Sequence, residues 1–234
     1  MNFDVPASPE PGGRRPLKSR DTGWARALAA WLAENGAAPN VISNQSIGFA
    51  LLSLVCFLLA PDAKSTVASV LLYLGAIAGI QLRLLCNLLD GMVAVEHGKK
   101  SATGGLFNEV PDRVADVLIL VGAGYSTAVE PGVVKLFDAL PLGWSCAVVA
   151  VWTAYIRSLG AELTGRQFFM GPMAKPHRMF WLTTGCVAVI LSRLTGYGDA
   201  HMILVVTLTW ILAGSLVTCV RRLLAITREL ETKG

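Results

Sequence analysis

Apolar runs long enough to cross a bilayer dominate this chain, and few folds accommodate them. Six can be drawn, at about 41–60, 65–95, 111–128, 142–163, 178–194 and 199–220, separated by short polar segments. A helix needs roughly 20 apolar residues to cross the hydrocarbon core. A soluble bundle would struggle to bury six such runs. Hydrophobic residues make up 53% of the 234 residues and charged ones only 15%, with a mean hydropathy of +0.55, so the composition agrees. The expected fold is an all-α integral membrane protein of six transmembrane helices. The last run continues into a polar helix, "RRLLAITRELETKG".

Two segments precede the first run. Residues 1–20 are rich in Pro and Gly and lack an apolar core, which reads as a disordered cytoplasmic tail rather than a signal peptide. Residues 21–36 follow, with Asp21 or Thr22 placed to cap a helix and Gly36 to end it. Trp24, Leu28, Trp31 and Leu32 share one face there, as in an amphipathic helix lying at the bilayer interface. Residues 37–222 would then form the membrane domain, and 223–234 a cytoplasmic C-terminal tail.

Charge sets the expected orientation. Arg14, Arg15, Lys18, Arg20, Arg26, Lys99, Lys100, Arg166, Lys175, Arg178, Arg221, Arg222, Arg228 and Lys233 all fall on one side. The other side receives Lys64, Lys135 and Arg193. Cytoplasmic loops carry the excess of Lys and Arg, so both termini are expected in the cytoplasm. The net charge of +4 gives no reason to invoke nucleic acid. Five scattered cysteines without a CxxC pair read as small buried hydrophobes.

Against this background the stretch "CNLLDGMVAVEHGKKSATGGLFNEVPDRVAD" stands out, because ionisable groups at membrane depth are costly. Asn87, Asp90, Gly91 and Ala94 fall on one face of the second run, and Asp112 and Asp116 lie one turn apart on the third. If the two runs are antiparallel neighbours, their carboxylates meet near the cytoplasmic surface. Such groups repel unless cations neutralise them, and oxygen ligands suit magnesium, calcium or manganese. The plainer alternative is that each aspartate caps a helix or pairs with an arginine such as Arg83 or Arg113.

The segment resembles the signature of the CDP-alcohol phosphotransferases, D-x2-D-G-x2-A-R-x8-G-x3-D-x3-D. "NLLDGMVAV" matches its first half through Asp90, Gly91 and Ala94, and "PDRVAD" supplies a D-x3-D pair. "APNVIS" leading into the first run also agrees with the family plan. The likeness extends over about residues 22–220. Two positions depart from it: Asn87 stands where the pattern has its first aspartate, and Val95 where it has arginine. Lys100, Arg113 and Arg83 are the candidates to replace that arginine. Strict spacing from Asp90 aligns Asn108 and Asp112 with the last two aspartates. Allowing four extra residues aligns Asp112 and Asp116 instead, and this register is preferred because it keeps both carboxylates.

The resemblance implies transfer of a phosphatidyl group from a CDP-linked lipid donor, most simply CDP-diacylglycerol, to an alcohol acceptor with release of CMP. It implies Mg2+ or Mn2+, two ions, held by Asn87, Asp90, Asp112 and Asp116, with Asp116 as the catalytic base. Gly91 and Ala94 would make room for the nucleotide. Arg157, Lys175 and Arg178 are expected to bind substrate phosphate, although positive-inside charge explains such residues equally well. A homodimer in a bacterial inner membrane, with the active site cytoplasmic, completes the expectation. The alternatives are a catalytically weakened relative serving as a membrane scaffold or subunit, motivated by Asn87 and Val95, and a cation transporter. Against the transporter, the acidic groups gather at one membrane face and no charged path continues beyond them.

Overall fold

A computed structural model describes residues 22–96, 98, 102–127 and 139–232. The expected tail at 1–20, together with Asp21, Lys99, Lys100 and Lys135, lies outside them. Seven helices occur among the described residues, and no strand. They are α1 (Gly23–Glu34), α2 (Pro39–Leu59), α3 (Thr66–Glu96), α4 (Gly104–Tyr125), α5 (Ala139–Thr164), α6 (Lys175–Thr195) and α7 (Ala200–Glu231). The expected amphipathic helix and six runs each correspond to one of these.

Local signals account for several helix ends, those of α1 as expected. Thr22 takes the N-cap position of α1, and Gly36, at φ 77°, follows its end. Left-handed backbone of this kind costs glycine little. Pro39 and Pro176 sit in the first turns of α2 and α6, where a missing N–H costs nothing. In the turn "GYGD", Gly196 and Gly198 have positive φ, and Asp199 caps α7 by accepting from the His201 amide at 2.9 Å.

Pro111 is a correction. A run drawn from about residue 111 puts this proline in the first turn of its helix, yet α4 begins at Gly104 and carries Pro111 inside. A proline there forfeits one backbone hydrogen bond. The earlier turns are tied down by side chains instead: Glu109 accepts from Arg113, four residues on, and from Arg157 of α5, each at 2.5 Å.

Four of the helices, α2, α3, α5 and α7, are long and apolar enough to cross a membrane. Six were expected. The two that fall short, α4 and α6, carry Glu109, Asp112, Arg113 and Asp116, and Lys175 and Arg178, respectively. Their apolar length is interrupted by the charges that build the site. Outward faces of the bundle carry large exposed apolar side chains, among them Leu71, Val148, Trp152, Val206 and Trp210. A continuous apolar exterior of this extent belongs against lipid or another protein.

Inside, α2 packs on α3 and α4, α5 on α4 and α7, and α6 on α3 and α7. Phe57, Ile80, Ile119, Leu120, Leu182, Leu204 and Leu208 form the centre of one core. Close backbone approach joins α4 to α5, where a Cβ on Gly143 would lie 2.7 Å from the Gly124 Cα. Small residues let membrane helices approach in this way. The α1 helix packs on α3 by its alanines: Ala25 and Ala29 are fully buried among Ile42, Leu88, Leu89 and Met92. Trp24 and Trp31, each 57% exposed, point away from that contact. The expected apolar face is thus divided, with Leu28 and Leu32 packing on the protein, Trp31 exposed and Trp24 at the edge of a cavity. All five cysteines are buried and free, as expected.

Candidate functional site

Six helices contribute to one cavity of about 630 Å³. Asn87, Asp90 and Gly91 reach it from the last turns of α3, and Asn108, Glu109, Asp112 and Arg113 from the first turns of α4. Thr153 and Arg157 line it from α5, Lys175 and Arg178 from the start of α6, and Arg222 from α7. Trp24 of α1 closes one side. The antiparallel arrangement expected of the second and third runs is therefore what brings the two halves of the acidic motif together.

Asp90 is 4% exposed, and its Oδ2 accepts from the Ser43 hydroxyl of α2 at 2.5 Å. Asp112 is 5% exposed and accepts from both the Asn87 amide and the Lys175 ammonium. Asn87 thus donates to an acidic neighbour on the cavity lining. Arg157 of α5 lies 5.7 Å from the centre of the Phe169 ring, paired to Glu109 and 3.4 Å from the Gln167 Oε1.

Asp116 has a different setting. It is 1% exposed and does not line the cavity. Its Oδ1 accepts from the Arg83 Nη2 at 2.5 Å and its Oδ2 from the Arg178 Nη2 at 2.8 Å. Arg83, fully buried, also donates to the Asp112 main-chain carbonyl at 3.1 Å. Arg178 donates further to the Thr153 hydroxyl and the Met173 carbonyl, each at 3.1 Å. A buried carboxylate between two guanidiniums is well compensated, and removing one partner would strand a charge. The plainer alternative, pairing with arginine, therefore describes Asp116.

This placement bears on the register. Asp116 was expected among the metal ligands and as the base, yet it sits one turn behind the cavity wall. Asn108, four residues before Asp112 and on the same helical face, lines the cavity instead. The strict spacing from Asp90, with Gly104 also in place, is the one whose residues share the cavity: Asn87, Asp90, Asn108 and Asp112. Counting carboxylates favours the other register, although one of those carboxylates, Asp116, is held between Arg83 and Arg178.

The remaining expected residues divide similarly. Gly91, Arg157, Lys175 and Arg178 line the cavity, while Ala94 does not. Val95 is exposed; of the candidates to replace the pattern's arginine, Arg113 reaches the cavity and Arg83 lies beneath it. Arg166 pairs with Glu229 at 3.1 Å, away from the cavity. Sequence reasoning missed Ser43, which sits in an apolar run and looks like any small helical residue. It also missed Arg222, whose Nε and Nη1 donate to the Met170 and Thr153 carbonyls at 3.0 and 2.5 Å, holding the α6 approach against α5. Its place just past the sixth run was indistinguishable from positive-inside charge.

Among the described residues no group of three His, Cys, Asp or Glu side chains is placed to hold a metal ion. The donors that do face the cavity are all oxygens: carboxylates of Asp90 and Asp112 and amides of Asn87 and Asn108. Hard divalent cations prefer such a set. The surrounding charge is otherwise basic, with five cationic side chains on the lining against three acidic ones. An anion is the natural occupant.

No family model matches the chain, and no curated relative does. Solved structures do. The phosphatidylinositol phosphate synthase PgsA1 of Mycobacterium tuberculosis, in complex with manganese and citrate, superposes with a TM-score of 0.69 at 20% identity, covering 86% of this chain and 88% of that one. With CDP-DAG bound, the same enzyme gives 0.65 at 21% identity, over 86% and 92%. Its apo form gives 0.61 at 22% identity, over 84% and 93%. The seven-helix arrangement of this chain is therefore the fold of a phosphatidylinositol phosphate synthase.

Proposed function

We propose that the chain is a membrane phosphotransferase of the CDP-alcohol type, moving a phosphatidyl group from CDP-diacylglycerol to an acceptor hydroxyl and releasing CMP. The observation that carries this reading is the cavity itself. Oxygen donors of the D-G motif on α3 and α4 face a ring of cationic side chains, on a fold that in the mycobacterial synthase accommodates CDP-DAG and, separately, manganese.

The chain's own residues divide the work by position. Lys175 and Arg157, on the cavity lining beside the motif, are cations suited to the phosphates of donor and acceptor. Gly91, without a side chain, leaves room beside Asp90 for the nucleotide. Ser43 fixes the Asp90 carboxylate, and Asn87 with Lys175 fixes that of Asp112. Asp90, Asp112 and the amide oxygens of Asn87 and Asn108 would hold magnesium or manganese, which neutralises a pyrophosphate leaving group. Asp90 and Asp112 are also the motif carboxylates within reach of an acceptor's proton. Asp116, enclosed by Arg83 and Arg178, keeps the two guanidiniums in place beneath them.

The site faces the cytoplasm in this reading, on the positive-inside argument, and the protein works as a homodimer in a bacterial inner membrane. A second reading, a catalytically weakened scaffold or subunit, is favoured by one observation: two of the four motif positions on the cavity carry asparagine. Incubating the purified full chain with CDP-diacylglycerol, Mg2+ or Mn2+ and a panel of alcohol acceptors separates the two. Release of CMP, lost on Asp112→Asn, is expected. A folded chain that releases none with any acceptor supports the scaffold.

A further inference from the structure

Charge at the motif differs from what two bound cations would require. The signature that the sequence resembles places four aspartates at these positions. Here they are Asn87, Asp90, Asn108 and Asp112, so the motif brings two negative charges to the cavity rather than four. Two further facts lower its capacity for cations. The Lys175 ammonium already rests on the Asp112 carboxylate. Asp116, which could have supplied a third charge, is committed to Arg83 and Arg178 and lies behind the wall.

Electrostatics then decides the count. Two divalent ions bring four positive charges to two carboxylates beside a fixed ammonium, in a cavity whose remaining charges are already mostly basic. Like charges held within a few ångströms disfavour one another strongly where water is scarce. One divalent ion nearly balances the same carboxylates, and the amide oxygens of Asn87 and Asn108 complete an oxygen shell without adding charge. We infer that this chain holds a single divalent cation, between Asp90 and Asp112, and that the Lys175 ammonium stands in the cavity as the other cation facing the substrate's phosphates. This rests on the phosphotransferase reading and makes it specific: where two ions could clamp a pyrophosphate, one ion and one lysine do so here.

Lys175 is placed for that part. It is the first residue of α6, it lines the cavity, and its side chain retains 24% exposure while contacting Asp112. A flexible ammonium can stay near Asp112 and still meet a phosphate oxygen as a point charge.

Binding stoichiometry tests the inference without relying on turnover. The full chain in detergent is titrated with Mn2+, and free Mn2+ is followed by electron paramagnetic resonance, with CMP release measured in parallel. The expected result is one Mn2+ per chain for the natural sequence and two for N87D/N108D, which restores four acidic positions. Two ions on the natural chain overturn the inference and leave the phosphotransferase reading standing. One ion on both proteins also overturns it, because the asparagines then do not set the count. No ion on the natural chain overturns it as well, and the parallel CMP assay shows whether transfer survives. One ion with no CMP release in any acceptor counts against the reading and not against the count. Should N87D/N108D fail to fold, Asn108→Asp alone serves, since Asn108 is exposed. It is expected to tighten the Mn2+ dissociation constant on the order of tenfold, the effect of one opposite charge at close range. An unchanged constant there overturns the inference.

Discussion

The two ends of the helical bundle satisfy their buried polar groups in different ways. At the end holding the α6–α7 turn, the partners are backbone carbonyls, most of them within six residues. Ser126 and Thr127 bond to carbonyls three residues back, Ser192 donates to the Gly198 carbonyl at 3.1 Å, and the His201 Nδ1 lies 2.6 Å from the Thr127 carbonyl. No ion pair is seen there among the described residues. At the other end the partners are charged and come from different helices: Asp116 of α4 with Arg83 of α3 and Arg178 of α6, Asp112 of α4 with Lys175 of α6, Glu109 of α4 with Arg157 of α5. One end closes the chain. The other gathers charge from four helices, part of it locked in the buried Asp116 cluster and part of it, on Asp112, Lys175, Glu109 and Arg157, lining a cavity that suits a ligand.

The largest expected effect separates the ends by activity. Asp90→Asn should lower CMP release by about a hundredfold or more, the scale of losing a group that stabilises transition-state charge. Asp199→Ala, at the far end, should leave the rate unchanged. Equal losses in both would erase the functional distinction.

Next in size is the buried ion cluster. Arg178→Ala leaves Asp116 under-compensated, and a loss of about 3–5 kcal/mol is expected from breaking a buried pair. Thermal unfolding in detergent measures it. Asp116→Asn sharpens the point: it should lower the unfolding midpoint, because two guanidiniums then lose their shared carboxylate. Abolished CMP release with an unchanged midpoint would instead restore Asp116 as a base.

Helix packing comes third. Gly143→Leu places a large side chain where a single Cβ already meets the Gly124 backbone at 2.7 Å, so α4 and α5 must separate. Overpacking of this kind costs roughly 1–3 kcal/mol. Because α5 carries Arg157, CMP release should fall along with the midpoint.

The smallest effects should come from the far end and the rim. Asp199→Ala should cost about 1 kcal/mol through the lost N-cap. Arg166→Ala, in a pair whose arginine side chain is 52% exposed, should cost no more than about 1 kcal/mol. A large loss of activity in either would blur the boundary between site and scaffold.

Several of these features could be read before any coordinates. Apolar run length determines that the chain is helical and belongs in a membrane, since lipid tolerates only backbones that satisfy themselves. Thr22 and Gly36 mark the ends of α1 by local chemistry, which needs no tertiary context. The spacing of Asn87, Asp90 and Gly91 identifies a ligand face for the same reason: helical periodicity is a property of the segment alone.

Other features depended on contacts between segments. Ser43 and Arg222 are unremarkable in sequence and acquire meaning from Asp90 on another helix and from the carbonyls of α5 and the α5–α6 connection. Which of Asn108, Asp112 and Asp116 belong to the cavity was beyond one-dimensional inference. All three lie on one helical face, four residues apart, and only the depth of α4 against Arg83 and Arg178 tells a wall residue from a buried ion-pair partner. The sequence by itself therefore determined the elements and the kind of chemistry. The tertiary structure decided how many of the charges face a ligand, because a carboxylate's role follows from the cations that surround it, and those arrive from helices far away along the chain.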